Sequence, residues 1–448
     1  VRRGKLGLAL ALALLTGAAL RFANVADMEY KEDEEINFTA SQAIVRDWPK
    51  LPPTGMPSGV YIPNPGLSVW MFGAAAAVSG AHTPPELERA VQVVSLLGIC
   101  LILPFAFGFV GPGRERELWL WAFALALVNP FLIVYHRKLW PQPFLPLFSM
   151  LMLMGYWRRE RSIGAFAWGF VGALLGQVHM AGFFVAGGLA LWTGLFDRAR
   201  PRWRAWFAGS ALGTLPLIPW LSLALHAPRG GAIGAASEPL QLKYWVFWVT
   251  DAFGLHLGNP LGLSRGGVLA QIADFCRYPL WAGRPTYIVG AAHVALVALA
   301  LGLACGAARA LHLRSQSLWW KALRARPRLV WDLTQRVGRL PGLASRISDT
   351  RFVGQALWFA TGLLLTATFV NIRRYYLCAT FPFEGIAFVA AAFYAFEAAR
   401  ARRWLLALWV AQAVVSAGFV YYVHVNQGAP AGDYGDAYHV VLRKRAGH

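Results

Sequence analysis

Apolar runs long enough to cross a bilayer recur along nearly the whole sequence, and they constrain the fold more than any other feature. Crossing about 30 Å of hydrocarbon takes about 20 residues of helix, and every backbone N–H and C=O in lipid must find its partner within the protein. The expected fold is therefore all-α: a polytopic membrane protein of about eleven transmembrane helices, with interfacial helices in the first outer loop. A chain that is 57% hydrophobic and 14% charged is too apolar for an ordinary soluble fold of 448 residues.

The formal net charge of +20 sits in short links between apolar runs. A nucleic-acid binder would gather its basic residues on a polar domain, so the charge reads as the positive-inside signal, and nucleic acid is not an expected partner. Arg2, Arg3 and Lys5 precede the first run, at about 5–23, which reads as a retained signal anchor; the acidic stretch EYKEDEEINF then lies outside. Cys100, Cys305 and Cys378 fall in apolar runs and Cys276 in a loop, which gives no disulfide framework.

From Glu34 to Asp47, Ile36, Ala40, Ala43 and Ile44 recur at helical spacing, as in a helix lying on the membrane surface. Prolines 49, 52, 53, 57, 63 and 65 predict a stiff, extended connection. The short run Leu67–Ser79 is taken as non-crossing, because only then do Arg114 and Arg116, Arg158 to Arg161, and Arg198 to Arg204 fall on the cytoplasmic side. Crossings follow at about 89–110, 118–135, 143–157, 163–178, 181–196, 206–226, 285–307, 352–370, 376–396 and 404–423, with a hairpin turn at QVHM. The chain reads as a single unit, 1–448, with a first outer loop at 24–66, a second at 227–284 carrying aromatic-rich KYWVFWVTDAFG, and a basic cytoplasmic loop at 308–351. Its halves show no evident repeat of the kind transporters carry.

The cluster Glu29, Glu32, Asp33, Glu34 and Glu35 follows the first span directly. One role for it is helix initiation, with Asp33 as N-cap and the glutamates favourable at a helix N-terminus. The other is chemical. An outward loop with an Asp-Glu pair after the first span, an interfacial helix and a proline-rich lead into a second one resembles the glycosyltransferase-C superfamily. It most resembles the bacterial family-39-like proteins related to protein O-mannosyltransferases and aminoarabinose transferases. GVYIPNPGLSVW, YHRKLWPQPFLPLF, QVHMAG and RRYYLCATFP resemble further segments of that family, and all are expected at the outer face.

The resemblance implies an inverting glycosyltransferase that moves a sugar from a polyprenyl-phosphate donor to a hydroxyl acceptor, with Asp33 as general base and Glu34 second. Arg137, Lys138, Arg373 and Arg374 supply cations for the departing phosphate, or anchor lipid headgroups by snorkelling. Gln142, His179, Tyr61 and Tyr375 complete the expected substrate-binding set; His179 and the aromatic residues equally suit structural or interfacial roles. The pocket is expected between the first loop and the turns at 136–142, 177–179 and 373–376. Many relatives place a second acid where this chain has WPQP, with Gln142 in that neighbourhood, so a divalent cation stays open and no metal site is assigned. The expected setting is the inner membrane of a bacterium, multi-pass, with the site facing the periplasm or exterior and membrane lipid around it. An O-antigen ligase or polymerase type of enzyme, using the 227–284 loop, and a lipid-linked glycan transporter are the alternatives.

Overall fold

The computed structural model describes residues 3–57, 63–197, 201–226, 241–255, 257, 273–324, 348–368, 372–429 and 434–447. The fold is all-α, and the strands among the described residues are two-residue hairpins, β1 (Leu280–Trp281) with β2 (Arg284–Pro285) and β3 (Gly428–Ala429) with β4 (Gly435–Asp436). Helix α1 (Arg3–Phe22) leads through a short turn to α2 (Glu32–Arg46) and α3 (Leu67–Ser79), then to α4 (Pro84–Cys100) and α5 (Ile102–Gly108). The middle of the chain forms α6 (Arg114–Val128), α7 (Pro130–His136), α8 (Leu145–Trp157), α9 (Ser162–Val178) and α10 (Ala181–Phe196). Beyond it come α11 (Trp203–Gly213), α12 (Ile218–His226), α13 (Lys243–Phe253), α14 (Ile288–Arg324), α15 (Asp349–Gln355), α16 (Gly362–Ala367), α17 (Phe383–Ala395), α18 (Ala398–Val425) and α19 (Tyr438–Ala446).

Among the described residues, five helical stretches are long and apolar enough to span a membrane: Gly4–Phe22, Pro84–Gly108, Trp203–Leu223, Ile288–Leu313 and Ala398–Val425. Two bent pairs raise that to seven if each is one span. The about eleven crossings expected from the sequence include shorter helices, such as Ser162–Val178 and Ala181–Phe196, so that count is not reached on length and composition.

The breaks have local causes. Pro130 cannot continue α6, so the chain bends by 55° there. Asn129 restarts it by accepting from the N–H groups of Phe131 at 2.8 Å and Leu132 at 3.3 Å, a cap worth about 1 kcal/mol. The second bend, 79°, separates the short helix Arg374–Thr380 from α17 at Phe381 and Pro382. Elsewhere small residues let helices meet backbone to backbone: a Cβ on Gly209 of α11 would stand 2.1 Å from the Phe166 carbonyl oxygen of α9. The core behind these contacts is aromatic, with Trp119, Trp168 and Trp248 fully buried.

Four local expectations change. Helix α2 begins two residues earlier than the sequence reading from Glu34, and its N-cap is Lys31, not Asp33. Glu34 sits at the third helical position and its Oε2 accepts from the Lys31 N–H at 3.0 Å, the reciprocal half of a capping box. The proline-rich segment doubles back rather than extending: Thr54 pairs antiparallel with Pro65, and Gly55 N–H donates to the Asn64 carbonyl at 2.6 Å. Aromatic α13 packs into the bundle, where the Tyr244 hydroxyl donates to the Leu357 carbonyl at 2.7 Å and the Trp245 indole to that of Trp358 at 3.0 Å. Buried Tyr and Trp need such partners, and a wider π-type turn at Ala356–Thr361 frees these carbonyls to accept.

Candidate active site

Helix α2 lies across the turn that follows α7, and polar contacts fix it there. The Asn37 amide donates to the Leu139 carbonyl at 2.6 Å. Lys138, 4% exposed, forms an ion pair with Glu29, whose other oxygen meets Lys31 at 2.8 Å. Three rings enclose the Lys138 ammonium: Trp140 at 4.4 Å from its centroid, Tyr434 at 5.7 Å and Tyr135 at 5.8 Å. A buried ammonium held by one carboxylate and aromatic faces is fixed in place.

Of the acidic cluster, Asp33 stands apart. Glu29 is paired with two lysines, Glu34 is buried in the cap, and Glu35 holds Arg445 through both oxygens at 2.8 Å. Glu32 is exposed. Asp33 is partly buried and has no hydrogen-bond or ion-pair partner among the described residues. Desolvation raises its pKa above the ordinary aspartate value, the Lys138 charge opposes that rise, and Glu29 adds to it. Glu34 is pushed up to about 8, first by burial and then by Glu29, so it is largely protonated at neutral pH.

The Tyr375 ring lies in the electrostatic field of both Asp33 and Arg373. It stands edge-on to Trp140 at 5.5 Å and to His179 at 5.8 Å, and Tyr376 meets both His179, at 5.5 Å, and Tyr375, at 5.1 Å. The His179 Nδ1 accepts from the Ala181 N–H at 3.2 Å, so in the neutral ring the proton sits on Nε2, which is a donor. The structure therefore brings Asp33, Lys138, Tyr375, His179 and Arg373 to one end of the bundle, with Trp140 between them.

Other predicted residues are placed differently. Arg137 is 3% exposed and spends its guanidinium on the end of α1, donating to the carbonyls of Leu20, Arg21, Ala23 and Asn24 at 2.8 to 3.1 Å. It closes the C-terminus of the first span. Arg374 turns away to an ion pair with Asp251, 2% exposed, and a 3.0 Å bond to Thr250. Gln142 is 1% exposed. Gln177, beside His179, ties α9 to α11 through the Gly213 carbonyl at 2.7 Å. Tyr61 lies outside the described residues.

A cavity lies at the two helix breaks, lined among others by Asn129, Asp251, Leu377, Pro382 and Glu384 and by none of the predicted site residues. This cavity is a different place from the pocket expected between the outer turns. Asp251 and Glu384 escaped notice in the sequence because each is a lone acid in an apolar run, a pattern that itself marks a buried role. Among the described residues no three His, Cys, Asp or Glu side chains form a group able to hold a metal ion.

The adjacent arginines should separate experimentally. Arg374→Ala leaves Asp251 facing an apolar cavity without its counter-charge and is expected to cost about 2 kcal/mol, discounted for the partial exposure of Arg374. Arg373 is exposed, with no hydrogen-bond or ion-pair partner among the described residues, and Arg373→Ala should leave stability unchanged. Thermal unfolding of the two variants in the same detergent checks the difference; equal melting temperatures would refute it.

No family model and no curated protein matches the chain. Among solved structures it is similar to ArnT from Cupriavidus metallidurans bound to undecaprenyl phosphate, at 16% identity over 95% of this chain and 79% of that one, with a TM-score of 0.43. It is also similar to the apo state of the same protein, at 17% identity over 93% and 77%, with a TM-score of 0.41. The Archaeoglobus fulgidus oligosaccharyltransferase in the apo form is similar at 14% identity over 97% of this chain and 57% of that one, with a TM-score of 0.47.

Proposed function

We propose that this chain is an inverting glycosyltransferase that moves a sugar from a polyprenyl-phosphate donor to a hydroxyl acceptor at the outer face of a bacterial inner membrane. The observation that carries the reading is Asp33: a partly buried carboxylate, unpaired among the described residues, beside Tyr375 and within the field of Lys138. An acid that merely starts a helix has no need of that setting, and in the same cluster Glu34 already performs the capping.

The chemistry is a single displacement. The acceptor oxygen attacks the anomeric carbon as its proton passes to the Asp33 carboxylate, the bond from that carbon to the phosphate oxygen breaks, and its electron pair leaves with the polyprenyl phosphate. Attack opposite the departing group inverts the anomeric centre. The leaving phosphate gains negative charge, so it is stabilised by cations already in place. Arg373 is exposed and free to meet it, while Lys138, held by Glu29, acts through its field from behind the aromatic wall. The Nε2–H of His179 and the faces of Trp140 and Tyr375 suit a sugar's hydroxyls and its apolar face.

The test is transfer of radiolabel from extracted polyprenyl-phosphate sugars to endogenous acceptors by purified protein in lipid. Label appearing on an acceptor, with the opposite anomeric configuration, is the expected result; absence of transfer under conditions where the protein is folded would favour the transporter alternative. The pH profile adds a second check. A base with a raised pKa is protonated, and idle, to a higher pH than an ordinary aspartate, so the rate should climb with pH along a limb displaced upward from the usual carboxylate range. Because Lys138 holds that pKa down, Lys138→Met should move the limb to still higher pH; a limb that stays in place or moves down would contradict the assignment.

A further inference from the structure

The cavity at the two helix breaks collects acceptors that the chain does not match with donors. Asp251, from the end of α13, and Glu384, from the first turn of α17, both line it, and much of the remaining wall is carbon, including Phe131, Phe381 and Phe388. Asp251 is 2% exposed; its Oδ1 meets Arg374 and, at 3.0 Å, the Thr250 hydroxyl, while its Oδ2 has no hydrogen-bond partner among the described residues. Glu384 accepts from the Thr380 hydroxyl and lies in the field of Asp251. The nearby amides are already engaged: Asn129 Nδ2 donates to the carbonyls of Asp251 and Ala252, both at 3.1 Å, and Gln412 Nε2, from α18, donates to that of Ala252 at 2.6 Å. The Gln412 Oε1, fully buried, is left without a partner among the described residues.

We infer that this cavity binds one small monovalent cation, an alkali ion, between the carboxylates of Asp251 and Glu384. Buried charges are paired or coordinate a metal, and a bare carboxylate oxygen against an apolar wall is costly. Among the described residues, Arg374 is the only cation whose charge bears on Asp251, and none bears on Glu384. Two carboxylates against one guanidinium leave one negative charge, which a singly charged ion cancels and a doubly charged one would overshoot. The ligand set points the same way. A calcium-like ion takes about six to eight oxygens, carboxylates prominent among them, and no group of three His, Cys, Asp or Glu side chains stands among the described residues. An anion, or a ligand that only accepts, is repelled by oxygens that already lack donors.

Broken helices are where membrane folds seat such ions, because the backbone there leaves the helical ladder. Both breaks border this cavity, Asn129 and Phe131 from the first and Phe381 and Pro382 from the second. An ion shared by Asp251 and Glu384 joins α13 to α17 across the second bend. Asp251 also holds Arg374, at the start of the short helix that carries Tyr375, so the same ion steadies the seat of that helix. The inference concerns binding and stability alone and stands without the proposed transfer.

Thermal unfolding of the full chain in detergent tests it, at one mildly alkaline pH, with lithium, sodium or potassium chloride replacing N-methylglucamine chloride at constant ionic strength so that general screening cancels. One alkali ion should raise the melting temperature saturably, as a ligand of the folded state does. In Glu384→Gln the half-saturating concentration should rise at least about ten-fold, because ion affinity follows the charge of the ligand set. Asp251→Asn should act alike, since asparagine keeps an oxygen for Arg374 and Thr250 but loses the charge, and it serves in place of Glu384→Gln if that variant does not fold. Glu32→Gln, in the exposed part of the acidic loop, should keep the wild-type value. Equal melting temperatures in all four salts overturn the inference. So does a saturable shift that Glu384→Gln and Asp251→Asn leave unchanged, which would seat the ion elsewhere.

Discussion

Replacing Asp33 with Asn is expected to lower transfer by at least about 100-fold with no loss of thermal stability, because the amide cannot take the acceptor's proton and general base catalysis contributes on that scale. Stability should hold because the carboxylate has no hydrogen-bond or ion-pair partner among the described residues to lose, and because removing a partly desolvated charge is, if anything, favourable. Glu34→Gln is the matched control. Glu34 is fully buried, its pKa is pushed up to about 8, and at neutral pH it is mostly the acid already, which makes it a poor base and makes Gln a close replacement. The Gln side-chain oxygen can still accept from the Lys31 N–H, so the helix start survives. The sign of the stability effect follows from the raised pKa: Glu34 favours the fold at low pH, and that contribution is lost as pH rises toward about 8, where the buried group must ionise. Gln, which never ionises, removes that penalty. Transfer measured for both variants decides between the acids: loss in Glu34→Gln with activity kept in Asp33→Asn would reverse their roles.

What the sequence made legible follows physical range. Periodic, local signals survived: the apolar runs became helices, Leu67–Ser79 among them, and the QVHM turn stands between Val178 and Ala181. The acidic loop and its basic, aromatic partners were legible as candidates, and Asp33, Lys138, Tyr375, His179 and Arg373 do share one end of the bundle. What could not be read was which member of each pair of like residues faces inward. Arg137 and Lys138 are neighbours in sequence, as are Arg373 and Arg374, and no periodicity distinguishes a cation that closes a helix end from one beside a site. That choice is made by partners more than a hundred residues away, such as Leu20 for Arg137 and Asp251 for Arg374. The contact of His424 with Asp27 was invisible for the same reason, since the two lie 397 residues apart.

Arg137 makes the contrast measurable, and Arg137→Ala should be the most destabilising single change in this region. The last turn of a helix leaves its carbonyls without intrahelical partners, and at a buried helix end those groups need donors. One guanidinium serves the carbonyls of Leu20, Arg21, Ala23 and Asn24, and it lies beside Arg21, which binds the carbonyls of Leu127 and Ala126 at 2.8 and 3.3 Å. Alanine would leave those carbonyls buried without a charged donor, at a cost of about 3–5 kcal/mol. Arg137→Lys should recover only part of it, because an ammonium is a point donor and cannot match the planar fork that spans the turn. Lys138→Met, one residue on, should instead lose transfer more than stability, since Glu29 keeps its 2.8 Å contact with Lys31. Melting temperature and transfer rate measured on all three variants separate the roles. Arg137→Ala with a wild-type melting temperature but no transfer would place that guanidinium at the substrate after all, and the end of the first span would need another explanation for how its carbonyls are satisfied.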